Sequence, residues 1–118
     1  SLDAGAKALD AKTPAPVAFD VYGADPASKL GQRVVIDGEV LETRVAQGHT
    51  VLLIEEKKTC AAGGCILRLV QGEDLAKVAR GDTVHAYGTV IGTVSSGGKT
   101  VPDIEGSLLT VVKSAGKK

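Results

Sequence analysis

Arg33-Val34-Val35-Ile36-Asp37-Gly38-Glu39-Val40-Leu41-Glu42-Thr43-Arg44-Val45 is the stretch whose reading decides the fold. Val34, Ile36, Gly38 and Val40 alternate with Val35, Asp37, Glu39 and Leu41. That two-residue period is the mark of a strand with one face toward a core. The strand is long, reaching to about Val45, and has a glycine at its centre. Glycine in mid-strand tolerates bulges and tight coiling, so Gly38 is the expected bend point.

Working outward, Gln47-Gly48 breaks the strand, and His49 to Glu55 forms a second one around Val51-Leu52-Leu53-Ile54. The two make a hairpin with a glycine turn. A loop from Glu56 to Gly64 follows, and Cys65 to Val70 is the third strand. Glu73 to Ala79 is the one good helix candidate in the body of the chain. It has acidic residues in its first turn, Lys77 and Arg80 near its end and Gly81 after it. This is the order that helix-end electrostatics and capping prefer. Asp82 opens a long fourth strand, Thr83 to Val94, with Gly88 and Gly92 as further bend points. Gly97-Gly98 makes the next turn, and Lys99 to Val112 is the fifth strand.

The N-terminal part is of another kind. Leu2, Ala6 and Leu9 make a weak helical stripe that Pro14 and Pro16 stop, so residues 1–16 read as a linker or the tail of an upstream element. Val17, Phe19, Val21 and Tyr22 predict a short extra strand or a segment packed on the main domain. Pro26 to Leu30 predicts one turn of helix. The expected organisation is a linker and extension over 1–29, one domain over 30–113 and a flexible tail over 114–118.

Composition narrows the function classes. The chain has 118 residues, enough for one domain with a real core and little more. Its apolar residues are mostly Val, Leu, Ile and Ala, with one Phe, two Tyr and no Trp or Met. Fourteen basic residues balance fourteen acidic ones. A nucleic-acid binder usually carries a basic excess, because phosphate contacts supply most of its non-specific affinity. No apolar run approaches the roughly 20 residues needed to span a bilayer, so direct membrane insertion by this segment is not expected. The chain begins at Ser1, which reads as a processed form or an excerpt whose native start could carry an export signal.

The order strand, strand, strand, helix, strand, strand is that of an OB barrel, where one helix lies between the third and fourth strands. Leu30 to Val40 resembles the first strand of bacterial OB-fold domains, including the tRNA-anticodon-binding type and small envelope proteins. Leu75 to Gly81 followed by Asp82 to Val90 resembles their helix, Gly-Asp turn and fourth strand. The resemblance covers residues 30–112. It implies an all-β, five-stranded Greek-key barrel with a helix between strands 3 and 4. It also implies a ligand that is single-stranded nucleic acid, oligosaccharide or protein, because one fold hosts many functions.

Candidate chemistry is sparse. Cys60 and Cys65 are separated by Ala-Ala-Gly-Gly. They read as a disulfide clasp, which implies an oxidising compartment such as the periplasm, or as two unpaired thiols of a cytosolic protein. The paired glycines let the chain turn back and favour the clasp. The spacing is not that of a Cys-x-x-Cys redox motif. A zinc site from Cys60, Cys65, His49 and His85 matches no standard finger, so neither metal nor cofactor is expected. His85, Tyr87, Thr89 and Ile91 share one face of the fourth strand, either a ligand surface or an ordinary outer face, with the second favoured. Arg44 and Arg68 can flank a groove whose field Glu42, Glu55 and Glu56 dilute. Asp103 and Glu105 read as solvating charge, and Arg80-Gly81-Asp82 as a helix end. No nucleophile elbow or phosphate loop is present.

These readings point to a non-catalytic binding or scaffold module rather than an enzyme. The expected partner is another protein or a neighbouring domain, in an extracytoplasmic setting with a cytoplasmic one as the alternative. Nucleic acid is the disfavoured partner. Arg44, Arg68, His85 and Tyr87 are the candidate ligand contacts.

Overall fold

Residue placement was taken from a computed structural model, which describes residues 16–58, 60, 64–72 and 78–114. Five strands carry the alternation seen in the sequence. They are β1 (Arg33–Ala46), β2 (His49–Glu56), β3 (Ile66–Gln71), β4 (Thr83–Ser96) and β5 (Lys99–Lys113). They close into a barrel in the order β1-β2-β3-β5-β4. Every neighbouring pair is antiparallel except β3 and β5, which run parallel. This is the OB topology that the strand order predicted, and each strand lies within two residues of its expected bounds.

The barrel closes because β1 serves two neighbours. Residues 33–39 of β1 pair with β4, and residues 38–46 pair with β2. Gly38 stands where the two ladders meet, opposite both Val84 and Glu56. A Cβ at Gly38 would lie 2.3 Å from the Glu55 carbonyl oxygen, so only glycine fits there. Gly88 has the same role in β4, 2.5 Å from the Glu105 carbonyl oxygen. The register shifts fall at Val40/Glu42 in β1 and at Thr83/Val84, Tyr87/Gly88 and Val90/Gly92 along β4. The expected bend at Gly38 is thus a close approach of two backbones, with the bulge two residues later.

Both hairpins turn on two residues, Gln47-Gly48 and Gly97-Gly98, all four with positive φ. That is the type I′ geometry whose twist matches the flanking strands. The strands fill the barrel with Val34, Ile36, Leu52, Ile54, Leu67, Leu69, Val84 and Ile104, each fully buried.

The N-terminal segment adds to this core in a way the sequence left open. Val17 makes a single parallel bridge to Val34, and the chain then winds into α1 (Phe19–Tyr22) in place of a short extra strand. Residues three apart on a helix share a face, so Phe19 and Tyr22 turn inward together, ring centroids 5.1 Å apart. A strand would have put them on opposite faces. Pro26–Lys29 forms the expected single turn, of the 3-10 type.

The helix expected at 73–80 falls largely on residues 73–77, which lie outside the described residues. Val78 and Ala79 are not helical, and Arg80-Gly81 is a turn. Asp82 closes that turn, its carboxylate accepting the Ala79 N–H at 2.9 Å.

Two polar groups sit at one end of the core. Glu56 is 2% exposed, and its carboxylate accepts the N–H groups of Asp37 at 3.0 Å and Lys58 at 2.8 Å. Tyr22 is fully buried, and its hydroxyl has no hydrogen-bond partner among the described residues. Burial, and then the negative charge of Glu56, push the Tyr22 phenol well above its usual pKa.

Candidate functional site

Beyond the halves of β1 and β4 that pair with each other, each strand runs on with one neighbour only. Residues 42–46 of β1 pair with β2, and residues 92–96 of β4 pair with β5. Between these two arms lies a groove enclosing about 200 Å³. Its walls are Glu42, Thr43 and Arg44 of β1 and Val94, Ser95 and Ser96 of β4. Its floor is Val51 and Leu53 of β2 with Arg68 of β3. This is the outer face of strands 2 and 3, flanked by the two hairpins, the surface on which OB folds take ligands.

The ladder registers set the chemistry of the floor. Residues directly opposite on neighbouring strands project to the same side of a sheet. One row runs Glu42, Leu53, Arg68, Asp103, and the next runs Arg44, Val51, Val70, Glu105. The second row has an apolar centre between charged ends, while in the first Leu53 is the one apolar side chain among three charged ones. Val51 and Leu53 reach this outer face because Val51-Leu52-Leu53-Ile54 is apolar on both sides of the strand.

The two arginines differ electrostatically. Arg68 is held by a fork from Asp103, Nε to Oδ1 and Nη2 to Oδ2, each 2.9 Å. That hydrogen bonding raises the Arg68 pKa above its usual value, against a smaller opposing effect of burial. Most of its charge is thereby answered within the fold. Arg44 is exposed and has no ion-pair partner among the described residues.

Arg44 and Arg68 both line this groove. Of the three acids expected to dilute their field, Glu42 alone lines it. Glu55 turns to Lys57 at 3.4 Å, and Glu56 turns into the core. The stronger neutralising group is Asp103, which the sequence reading took for solvating charge. It is 9% exposed. The available signal was its place inside the apolar run Val101-Pro102-Asp103-Ile104.

His85 and Tyr87 do not line the groove. They stand on the other stretch of β4, opposite Asp37 and Val35 of β1. His85 Nδ1 lies 2.5 Å from Asp37 Oδ1, and the Tyr87 ring meets the imidazole edge-on at 5.1 Å. A carboxylate that orients an imidazole is part of the apparatus of nucleophilic catalysis. Here no hydroxyl or thiol is hydrogen-bonded to the ring among the described residues.

Cys60 and Cys65 are joined in a disulfide, their Cα atoms 6.0 Å apart. The bond ties the β2–β3 connection, where the Glu56 N–H also donates to the Cys65 carbonyl at 2.8 Å. It leaves neither sulfur as a zinc-binding thiolate. Among the described residues no helix is long and apolar enough to cross a membrane.

No protein-family model and no curated protein sequence matches this chain. Solved structures do resemble it. An aspartyl-tRNA synthetase from Entamoeba histolytica aligns at 14% identity over 75% of this chain, with a TM-score of 0.60. A Leishmania major Friedlin protein described as an aspartyl-tRNA synthetase aligns at 11% identity over 91%, with a TM-score of 0.66. The matched parts are 20% and 22% of those chains, so this chain spans about a fifth of either. A mitochondrial single-stranded DNA-binding protein from S. cerevisiae, Rim1, aligns at 11% identity over 72% of this chain and 99% of its own, with a TM-score of 0.49. Likeness at these identities concerns architecture, and the architecture is a five-stranded closed barrel of the OB type.

Proposed function

We propose that this chain is a non-catalytic binding module that takes a segment of another protein, or of a neighbouring domain, in the groove between its two long hairpins. The observation that supports this reading is the lining of the groove. Its floor is apolar at Val51 and Leu53 beside the paired Arg68, its walls are mostly hydroxyl and charged, and it has no aromatic side chain. Stacking on aromatics supplies about 1–3 kcal/mol per base to a single-strand binder. Phe19 and Tyr22 are committed to packing on the core, and Tyr87 lies outside the groove. Counterion release is weak as well, because Glu42 stands beside Arg44 and Asp103 answers Arg68. A protein surface needs neither feature, and Val51, Leu53 and Val94 offer it apolar contact.

The second reading, single-stranded nucleic acid, draws on the aspartyl-tRNA synthetases among the similar structures. On that reading Arg44 and Arg68 meet phosphates, and His85 with Tyr87 forms a separate contact face. The disulfide supports an extracytoplasmic setting on either reading.

The test is fluorescence anisotropy with labelled oligo(dT) and oligo(U) at physiological salt, beside panning of a random-peptide phage library. We expect peptide binders that Leu53→Glu abolishes, and oligonucleotide binding weaker than micromolar. Submicromolar, salt-sensitive oligonucleotide binding lost in Arg44→Glu would replace the first reading by the second.

A further inference from the structure

We infer that the groove holds its ligand by strand addition, an extended polypeptide pairing its backbone with the open edge of β1 at Thr43 and Val45. The inference rests on the protein-binding reading above and specifies how that binding is made.

The edge follows from the register. In an antiparallel pair, alternate residues exchange backbone hydrogen bonds with the partner strand, and the residues between them aim both N–H and C=O away from it. A two-residue turn is closed by a bonded pair, here Ala46 with His49. Counting back, Arg44 with Val51 and Glu42 with Leu53 are bonded pairs, while Val45 with Thr50 and Thr43 with Leu52 are not. The phase agrees with the other end of the strand. Val40, on the far side of the bulge from Glu42, turns its backbone away from β2 as Thr43 and Val45 do, its N–H donating to Asp82 and its carbonyl accepting from Gly81. Thr43 and Val45 therefore present two donors and two acceptors on the side away from β2. Among the described residues no strand stands there, since the β1–β4 ladder ends at Glu39.

The chemistry of that edge selects its occupant. Alternating N–H and C=O groups are matched in full by another peptide backbone. A phosphodiester only accepts hydrogen bonds, so it could answer the donors and not the carbonyls. Beyond the bulge the edge holds no proline, and its charged residues, Glu42 and Arg44, sit at the positions bonded to β2, leaving Thr43 and Val45 to present the free backbone groups. Val45 is 49% exposed, an apolar contact for the incoming strand.

The opposite arm has an edge of the same phase at Thr93 and Ser95, because Ser96 and Lys99 close its turn. Its groove residues, Val94, Ser95 and Ser96, carry no charge that could fix a register. The β1 edge has Glu42 and Arg44 two residues apart, on the face shared with Leu53 and Val51. An added strand brings its own side chains beside them. The ligand is thus an extended segment with a carboxylate beside Arg44 and a basic or neutral polar residue beside Glu42.

Thr43→Pro and Val45→Pro test this directly. Each removes an N–H that points off the sheet, so the β1–β2 ladder survives. The probe is the tightest peptide from the phage panning, titrated by calorimetry into wild type, Leu53→Glu, Thr43→Pro, Val45→Pro and Ser95→Pro. Thermal melts of each variant check the fold. We expect the two β1 prolines and Leu53→Glu each to weaken binding about tenfold or more, and Ser95→Pro to leave it unchanged. If Leu53→Glu abolishes binding while both β1 prolines bind like wild type, the groove stands and strand addition falls. If all four variants bind like wild type, both fall. Should a proline lower the melting point, the same peptide with alternate backbone N-methyl groups decides on unmodified protein. A strand-paired peptide loses affinity in one N-methyl phase only, and equal affinity in both phases overturns the inference.

Discussion

Replacing Tyr22 by Phe should make this protein more stable. The residue is fully buried, and its hydroxyl has no partner among the described residues. A hydroxyl buried without a hydrogen bond costs about 1–3 kcal/mol relative to its hydrated state. Phenylalanine keeps the ring, its packing and its contact with Phe19, so Tyr22→Phe should gain an amount in that range at neutral pH. The pH dependence adds a second signature. Burial first, and the Glu56 charge second, raise the folded phenol's pKa above the ordinary value of 10.0. Above that value the unfolded chain releases a proton that the folded chain keeps, so the unfolded state binds fewer protons. Stability is then intact below the unfolded pKa and falls as pH rises past it, by about 1.4 kcal/mol per pH unit from this group. The Phe variant lacks the effect, so its advantage should widen above about pH 10. Urea denaturation of both proteins across neutral and alkaline pH, followed by far-ultraviolet circular dichroism, measures the difference directly. A Phe variant less stable than wild type at neutral pH would mean that the hydroxyl is satisfied. A difference that stays constant through alkaline pH would refute the titration argument.

Three further outcomes follow from packing and cross-linking. Reducing the Cys60–Cys65 disulfide should lower stability by about 2 kcal/mol, the chain-entropy value for so short a ring, measured by denaturation with and without reductant. Gly88→Ala should destabilise by about 1–3 kcal/mol, because the new methyl meets the Glu105 carbonyl across the ladder. A melting temperature unchanged from wild type would refute that close approach. Asp103→Ala should destabilise by about 1–3 kcal/mol by stripping Arg68 of both its hydrogen bonds, and Arg68→Met in the same background should recover part of the loss.

The barrel was legible in the sequence because its strands alternate and its breaks are chemically loud. Gln47-Gly48 and Gly97-Gly98 announce two hairpins, and Gly38 and Gly88 occupy the two positions where backbones approach too closely for a Cβ. The segment at Phe19 to Tyr22 was less readable, because four residues carry too few periods to separate strand from helix. Within the groove, Arg44 and Arg68 could be named in advance, since they fall on the parts of β1 and β3 that border the ligand face of this topology, whereas Arg33 lies on the stretch paired with β4. Asp103 could not. Its role depends on the β3–β5 register, and nothing local specifies which residue of a parallel partner will face Arg68. His85 and Tyr87 share a strand with groove residues, yet the coiling of β4 carries them to another stretch of the barrel wall.

The parallel ladder between β3 and β5 also bears on how the chain reaches this shape. The two hairpins can each zip from a two-residue turn, a local event that brings together residues already near in sequence. The β3–β5 ladder has no such start. Its first pair, Arg68 with Asp103, joins positions 35 apart, and the whole ladder is four residue pairs long. Closing a flexible loop of that length carries an entropic cost that grows as the logarithm of its length, about 3 kcal/mol in the length-dependent part. The β1–β4 ladder is more distant still, Glu39 and Thr83 being 44 apart, so the two ladders that close the barrel are its non-local contacts, the kind that slows folding. The Arg68–Asp103 fork stands at the first rung of the β3–β5 seam, where it ties the two parallel strands at a fixed register.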